Sequence, residues 1–218
     1  AYCPIPCGGN SPFVDGVFYG PFMLGLGSGY RPYEFEGLGK DFEARRDIVE
    51  ESVKLIFDGF HRRRWTHEGK FFKGKVEGQY EMLPVPIQLP HPPLYMAGGT
   101  DRSIAYAGRN GFGLMLSTLP GIETLAAQAK IYREALATAP SPQRNNPAAG
   151  HIDIARMVYV AETDEQARAD TEEHILQHIR NFNSAGTSGY LGTVSEKGQA
   201  LDYAQLAETT LLHGSPTT

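Results

Sequence analysis

The sequence has little cysteine, no strong excess of one charge and no long apolar run. Its 218 residues include only two cysteines, Cys3 and Cys7. Two cysteines cannot form a disulfide scaffold in a chain of this length, so they indicate a reducing, cytoplasmic setting. The formal net charge of −5 argues against nucleic acid or an anionic membrane surface as a partner. No apolar run approaches the length of a membrane-spanning helix.

Motifs of several common enzyme classes are also missing. The sequence contains neither a Gly-x-Ser-x-Gly nucleophile elbow nor a phosphate-binding P-loop. His174 and His178 have the i,i+4 spacing of a metal-binding pair, but Ile175 stands where zinc hydrolases carry a glutamate. The Cys-x3-Cys pair has no other ligands nearby. We therefore predict no metal site and interpret the two histidines as solvated.

Segments typical of strands alternate along the chain with segments typical of helices. We predict strands at 22–26, 94–97, 112–116 and 152–160, helices at 42–60, 100–110, 122–138, 163–182 and 200–212, and irregular segments at 1–21, 30–40, 61–93, 139–150 and 183–198. Alternation of this kind, with apolar central strands, predicts a parallel sheet and the α/β class. Four strands are fewer than a closed barrel needs.

The most informative stretch is the strand exit after residues 94–97. The apolar run ends in Gly98 and Gly99, Thr100 is a good N-cap, and Ser103 lies one turn into the predicted helix. A helix start like this presents backbone N–H groups to an anion, its dipole favours negative charge, and glycines let a phosphate approach closely. A tight turn without any ligand explains the two glycines equally well.

A second glycine-rich strand exit occupies residues 25–30. Its glycines alternate, so the spacing is not Gly-x-Gly-x-x-Gly, and we expect no helix directly after it. Both points argue against a dinucleotide-binding Rossmann fold. Alternate glycines nevertheless let a ligand lie against the backbone. In a parallel α/β barrel, ligands lie at the carboxyl ends of strands, which is where both glycine-rich stretches are predicted.

An ordered set of motifs resembles the bacterial luciferase-like flavin monooxygenases. The set comprises Gly25–Tyr30 with Glu34, Phe35 and Gly39, the run Pro84–Pro93 with Gln88 and His91, then Gly98-Gly99-Thr100-x-x-Ser103, residues 107–113 and Gly214-Ser215-Pro216. The resemblance covers residues 13–216. It implies a parallel (β/α) barrel of the TIM type, which we expect to be incomplete at both ends and to form one domain over residues 22–218 after an irregular segment at 1–21.

The resemblance implies FMN, or in some branches a deazaflavin coenzyme, as the cofactor. The residues that match cofactor-binding positions of the family are Gly27, Ser28, Gly29, Tyr30, Gly98, Gly99, Thr100 and Ser103. Gly99, Thr100 and Ser103 match positions that hold the cofactor phosphate, whereas Ser28 and Tyr30 match positions beside the phosphate and ribityl chain. No residue matches a catalytic acid or base, because the family strands that carry polar groups over the flavin have no counterpart here.

The implied activity is oxidation of a small organic substrate with reduced flavin and O₂, or hydride transfer with a deazaflavin. The implied partners are the small-molecule substrate, a separate flavin reductase and a second copy of the chain in a homodimer. Residues 15–21 depart from the family pattern, with Phe18 for a usual serine and Pro21 for a usual arginine. The alternative is therefore a truncated, non-catalytic barrel that binds flavin or nothing. A third class, an enzyme for sugar or nucleotide phosphates, predicts phosphate binding without a flavin.

Overall fold

The computed structural model describes residues 22–182 and 202–217. Its strands are β1 Leu24–Leu26, β2 Trp65–Glu68, β3 Lys73–Val76, β4 Leu94–Ala97, β5 Gly113–Leu116, β6 Ile152–Ile154, β7 Val158–Val160 and β8 Leu212–Gly214. Its helices are α1 Pro32–Gly37, α2 Arg45–His61, α3 Asp101–Arg109, α4 Ile122–Ala137, α5 Ser141–Arg144, α6 Asp164–Phe182 and α7 Tyr203–Thr209. The irregular segments predicted at 1–21 and 183–198, and both cysteines, lie outside the described residues.

Six of the strands run parallel, in two sheets. The larger sheet has the order β1-β4-β5-β6, and β7 pairs with β8 in the smaller one. Strands β2 and β3 form an antiparallel hairpin. Helices connect successive parallel strands of the larger sheet, which confirms the predicted α/β class. Within the described ranges the two parallel sheets do not close into a complete barrel.

The main core lies between the larger sheet and helices α2, α3 and α4. Buried members of this core are Val53, Ile56, Phe60, Leu94, Met96, Ile104, Ala107, Phe112, Leu114, Leu116, Leu125 and Tyr132. Because side chains alternate along a strand, the other face of the sheet carries a different set. Gly25, Ala97, Met115 and Asp153 lie on that face and are exposed. This exposed face corresponds to the lumen side of a parallel barrel.

Two segments predicted to be irregular contain regular structure. Helix α1 occupies most of residues 30–40, with Pro32 in its first turn, where the missing N–H costs nothing. The β2–β3 hairpin lies within residues 61–93. The carboxylate of Glu51 accepts hydrogen bonds from backbone N–H groups in the hairpin loop, including those of Phe71 and Phe72. The hairpin is thus tied to α2, a long-range contact that local sequence patterns do not report.

The prediction of one continuous strand at 152–160 is wrong. The chain forms β6, turns, and forms β7 in the other sheet. At the turn the Arg156 guanidinium donates hydrogen bonds to the carbonyl oxygens of Thr118 and Pro120. The predicted helix at 200–212 also ends early, at Thr209, because residues 212–214 pair with β7. Short strands of three residues carry too little pattern to be recognised without their partners.

Candidate functional site

The two predicted cofactor-binding stretches begin at the carboxyl ends of β1 and β4. These strands are parallel neighbours, with Leu26 opposite Met96. A Cβ added to Gly27 would lie 3.7 Å from the Cβ of Ala97. Residues 27–30 and 98–103 therefore begin side by side at one edge of the sheet. This edge is where parallel α/β folds place their ligands.

The turn from β4 into α3 is a complete capping box. Thr100 has extended backbone geometry, and its Oγ1 accepts a hydrogen bond from the Ser103 N–H at 3.4 Å. In return the Thr100 N–H donates to Ser103 Oγ at 3.2 Å. The predicted N-cap is thus confirmed. The first-turn N–H groups of Asp101 and Arg102 have no acceptor within the helix, so they are the backbone donors that this helix end offers to an anion.

The charged side chains of this helix end do not favour an anion. Asp101 is exposed in the first turn. Arg102 donates hydrogen bonds to Glu50 at 3.1 Å and to Asp47 at 3.2 Å, and these contacts with α2 raise the pKa of its guanidinium. Arg109 lies at the far end of α3 and is exposed. An anion here would be held by backbone donors and the helix dipole, against the charge of Asp101.

Two of the predicted glycines have structural roles of their own. Gly98 is buried, and an added Cβ would lie 3.2 Å from side-chain atoms of both Ile104 and Leu114. Its lack of a side chain lets α3 pack on the sheet. Gly29 has φ of +76°, and an added Cβ would lie 2.8 Å from the Phe35 ring. Gly29 therefore requires glycine whether or not a ligand binds, whereas at Gly98 an added methyl would make the side chains of Ile104 and Leu114 shift by a few tenths of an ångström.

The Tyr30 side chain packs against helix α6, although the family resemblance predicts a place beside the cofactor phosphate and ribityl chain. Its ring stacks on Phe182 at the end of α6, with centroids 5.5 Å apart. The Arg31 guanidinium lies 5.4 Å from the Tyr30 ring and donates a hydrogen bond to Glu34, which raises the pKa of Arg31. The Ser28 hydroxyl makes a long bond of 3.4 Å to the Gly29 carbonyl. Tyr30 thus joins the β1 exit to α6.

A cavity of about 450 Å³ adjoins the β1 exit. Its walls are the backbone of residues 25–29, helix α1 and the apolar side of α2, with Ile48 and Val49. Lys40 and Arg45 add positive charge to the lining. The volume is within the range typical of small-molecule sites. Residues 98–103 are not part of this lining, so the two predicted groups share a sheet edge but not one cavity.

A second cavity, of about 580 Å³, lies on the helix side of the sheet, between α2, α3 and residues 142–145. His91 lines it and is buried, with its Nδ1 donating to the Pro92 carbonyl at 2.7 Å. Burial lowers the pKa of His91. The imidazole packs against Phe57 and Phe60, consistent with a structural role for His91 in the loop.

Sequence analysis missed three polar residues that hold backbone segments of the fold in place. Asn146 is buried and bonds to the backbone of Leu94 at the start of β4. Gln128 is buried on α4 and contacts Gly99. Glu51 fixes the hairpin. A single polar residue on an otherwise apolar helix stripe was the available signal for Gln128, whereas Asn146 lies in a polar segment and gave none.

The described residues contain no cluster of three or more side chains suited to a metal ion. His174 and His178 are exposed on α6. Among the helices of residues 22–182 and 202–217, none combines the length and apolar character needed to cross a membrane.

Fold and site together define a parallel α/β protein of the TIM-barrel type with a capped helix start at the carboxyl edge of its sheet. The sequence matches the model of the luciferase-like monooxygenase family over residues 13–218. The chain therefore belongs to the luciferase-like monooxygenase family.

Relatives of known structure share the fold. The chain superposes on monooxygenase RslO1 from Streptomyces bottropensis with a TM-score of 0.76 and 24% identity, covering 99% of this chain and 60% of that one. It superposes on the oxygenating constituent of 3,6-diketocamphane monooxygenase, from a Pseudomonas putida plasmid and in complex with FMN, with a TM-score of 0.70 and 19% identity, covering 99% and 63%.

A curated relative is the F420-dependent glucose-6-phosphate dehydrogenase of Rhodococcus hoagii. It is 28% identical over 148 residues, which are 66% of this chain and 40% of the relative. The chain thus spans about two fifths of the length of the curated relatives that it matches first.

Proposed function

We propose that the chain is a flavin- or deazaflavin-binding oxidoreductase that acts on a small organic substrate. The observation that carries this proposal is the position of the α3 N-terminus, beside the glycine-rich β1 exit at the carboxyl edge of a parallel sheet. FMN is the first choice of cofactor, because the camphane monooxygenase binds it. The F420 dependence of the curated dehydrogenase keeps a deazaflavin as the alternative.

The residues present fit the phosphate of such a cofactor in part. The turn at Gly99 carries no side chain, the N–H groups of Asp101 and Arg102 have no intrahelical acceptor, and the Thr100 hydroxyl lies at the helix start. The carboxylate of Asp101 opposes the fit. We propose that Gly99, Thr100 and Ser103 hold the phosphate, while Gly27, Ser28 and Gly29 lie along the chain that links it to the ring.

When bound, the cofactor would supply the electrons that reduce O₂ or exchange hydride with the substrate. The contribution of this chain is to anchor the phosphate and orient the ring. The exposed face that carries Ala97, Met115 and Asp153 is the surface on which a ring or substrate would lie. A separate reductase would supply reduced flavin, in line with the description of the camphane enzyme as an oxygenating constituent. No catalytic acid or base is assigned.

The test is a fluorescence titration of FMN into the wild-type chain and a Thr100→Ala/Ser103→Ala variant. We expect micromolar or tighter binding that weakens at least tenfold in the variant, a loss of about 1.4 kcal/mol or more. Thr138→Ala, which removes an exposed hydroxyl at the end of α4, is the matched control and should bind as wild type does. Unchanged binding by the double variant would place the cofactor elsewhere. No binding of FMN or of a deazaflavin would refute the proposal.

A second candidate is a barrel protein that binds flavin without turnover. It is favoured by the exposed lumen-side face of the larger sheet, including Met115, which is 44% exposed. Formation of an oxidised product from a panel of small ketones and aldehydes, in the presence of a flavin reductase, separates the two candidates. Flavin binding together with no oxidised product would favour this non-catalytic protein.

A further inference from the structure

Helix α4 carries one buried amide on an apolar stripe. The buried residues of this helix are Leu125, Gln128 and Tyr132. Gln128 is only 8% exposed. Buried polar side chains are normally paired, and an apolar residue of similar size would fill the position without a desolvation cost. The amide therefore needs an explanation other than packing.

Close packing of α3 on α4 places Gln128 beside the start of α3. A Cβ added to Gly108 would lie 2.6 Å from the carbonyl oxygen of Tyr132, so the two helices touch at that level. Gln128 lies one turn before Tyr132 on the same side of α4. Its Nε2 donates a long hydrogen bond of 3.5 Å to the carbonyl of Gly99. The amide thus reaches the turn that precedes the candidate phosphate site.

The other end of the same amide is unsatisfied. Gln128 Oε1 is buried and has no hydrogen-bond partner among the described residues. A buried acceptor without a donor costs about 1–3 kcal/mol. Since methionine or leucine would avoid this cost, stability gives no reason for glutamine at this position. Glutamine differs from methionine and leucine in its amide N–H donor, which faces the carbonyl of Gly99.

The contact also sets the orientation of one peptide plane. In a trans peptide the C=O and the following N–H point in opposite directions. With the Gly99 carbonyl directed at α4, the Thr100 N–H is directed away from α4 and into the capping box. The partly negative carbonyl oxygen is then kept from the side where an anion would approach the first-turn donors.

We propose that Gln128 is a positioning residue of the cofactor-phosphate site. By holding the Gly99 carbonyl toward α4, it fixes the Gly98–Thr100 turn in the orientation that leaves the α3 donors facing the phosphate. This inference rests on the proposed function, because it assumes that the ligand at α3 carries a phosphate. It assigns Gln128 no contact with the reacting atoms.

The experiment compares FMN with riboflavin, which lacks the phosphate, in fluorescence titrations of wild type and Gln128→Met. The variant should raise the Kd for FMN at least fivefold and leave the Kd for riboflavin within twofold, with an unchanged or higher melting temperature. A purely structural residue would change both ligands alike or lower the melting temperature. Gln177→Met, at an exposed glutamine of α6, is the matched control.

A second variant keeps the test valid if Gln128→Met does not fold. Gln128→Asn retains the amide but shortens its reach, so it should lose FMN affinity in the same selective way. A folded Gln128 variant that binds FMN as tightly as wild type does would overturn this inference but not the proposed function. If the wild-type chain binds FMN no better than riboflavin, the flavin phosphate has no site here and this inference falls, whereas the proposed function falls only if neither FMN nor a deazaflavin binds.

Discussion

Replacing Asn146 with alanine should cost this protein a large part of its stability. Asn146 is 4% exposed and uses its whole hydrogen-bonding capacity. Its Oδ1 accepts from the N–H groups of Leu94 and Ala148, at 3.1 and 3.2 Å. Its Nδ2 donates to the carbonyls of Leu94 and Gly111, both at 2.9 Å. One side chain thus joins the start of β4 to the turn that leads into β5.

The size of the effect follows from these contacts. Alanine removes all four bonds, and each buried group left without a partner costs about 1–3 kcal/mol. Water entering the small cavity can satisfy part of the loss. We therefore expect a destabilisation of about 3 kcal/mol, against a total stability of roughly 5–15 kcal/mol for a typical domain. For a chain of this size that corresponds to about 6–12 °C in Tm.

Urea unfolding followed by circular dichroism measures this loss. Asn145→Ala is the matched control, because Asn145 is the exposed neighbour and should change stability by less than about 0.5 kcal/mol. If Asn146→Ala lowers the free energy of unfolding by less than about 1 kcal/mol, the four hydrogen bonds do not stabilise the sheet.

Two further predictions concern the hairpin and one glycine. Burial disfavours the charge of Glu51, but hydrogen bonds from His67 and from the hairpin backbone outweigh it and lower its pKa. The ionised Glu51 carboxylate therefore stabilises the fold above its unfolded-state pKa of about 4.3, and this stabilisation is lost as the pH falls through the lower pKa of the folded state. The difference in free energy of unfolding between wild type and Glu51→Gln should thus narrow below about pH 4 in urea titrations. A difference that does not change with pH would contradict this prediction. Gly111 and Gly78 have φ of +66° and +67°, but only at Gly111 would a Cβ collide with the backbone of Gln143. Gly111→Ala should thus lower the free energy of unfolding by several kcal/mol and Gly78→Ala by about 1 kcal/mol. Equal losses in the two variants would show that the added methyl at Gly111 does not collide with the backbone of Gln143.

The unit from β4 to β5 could be predicted from sequence because its determinants are local. An apolar run, two glycines, the cap at Thr100 and the glycine with positive φ at Gly111 all lie within about two dozen residues of one another. Each acts on its own backbone or on the adjacent turn. The structure confirms the strand, the helix start and the helix stop of this unit.

Local sequence patterns could not predict the β2–β3 hairpin, the division of residues 152–160 into β6 and β7, or strand β8. Strands β7 and β8 have three residues each and exist because they pair with each other across a long stretch of chain. The β2–β3 hairpin depends on Glu51, which lies on α2. These elements are stabilised by partners distant in sequence, so their local patterns are weak.

The sequence by itself determined the α/β class, the order of the main elements and the capped start of helix α3, because periodicity and capping act over a few residues. Only the tertiary structure placed the residue 27–30 stretch beside the 98–103 stretch, turned Tyr30 onto Phe182, and brought Gln128 and Asn146 to the strand ends. Those arrangements depend on strand order and helix packing, in which each contact joins residues that are far apart along the chain.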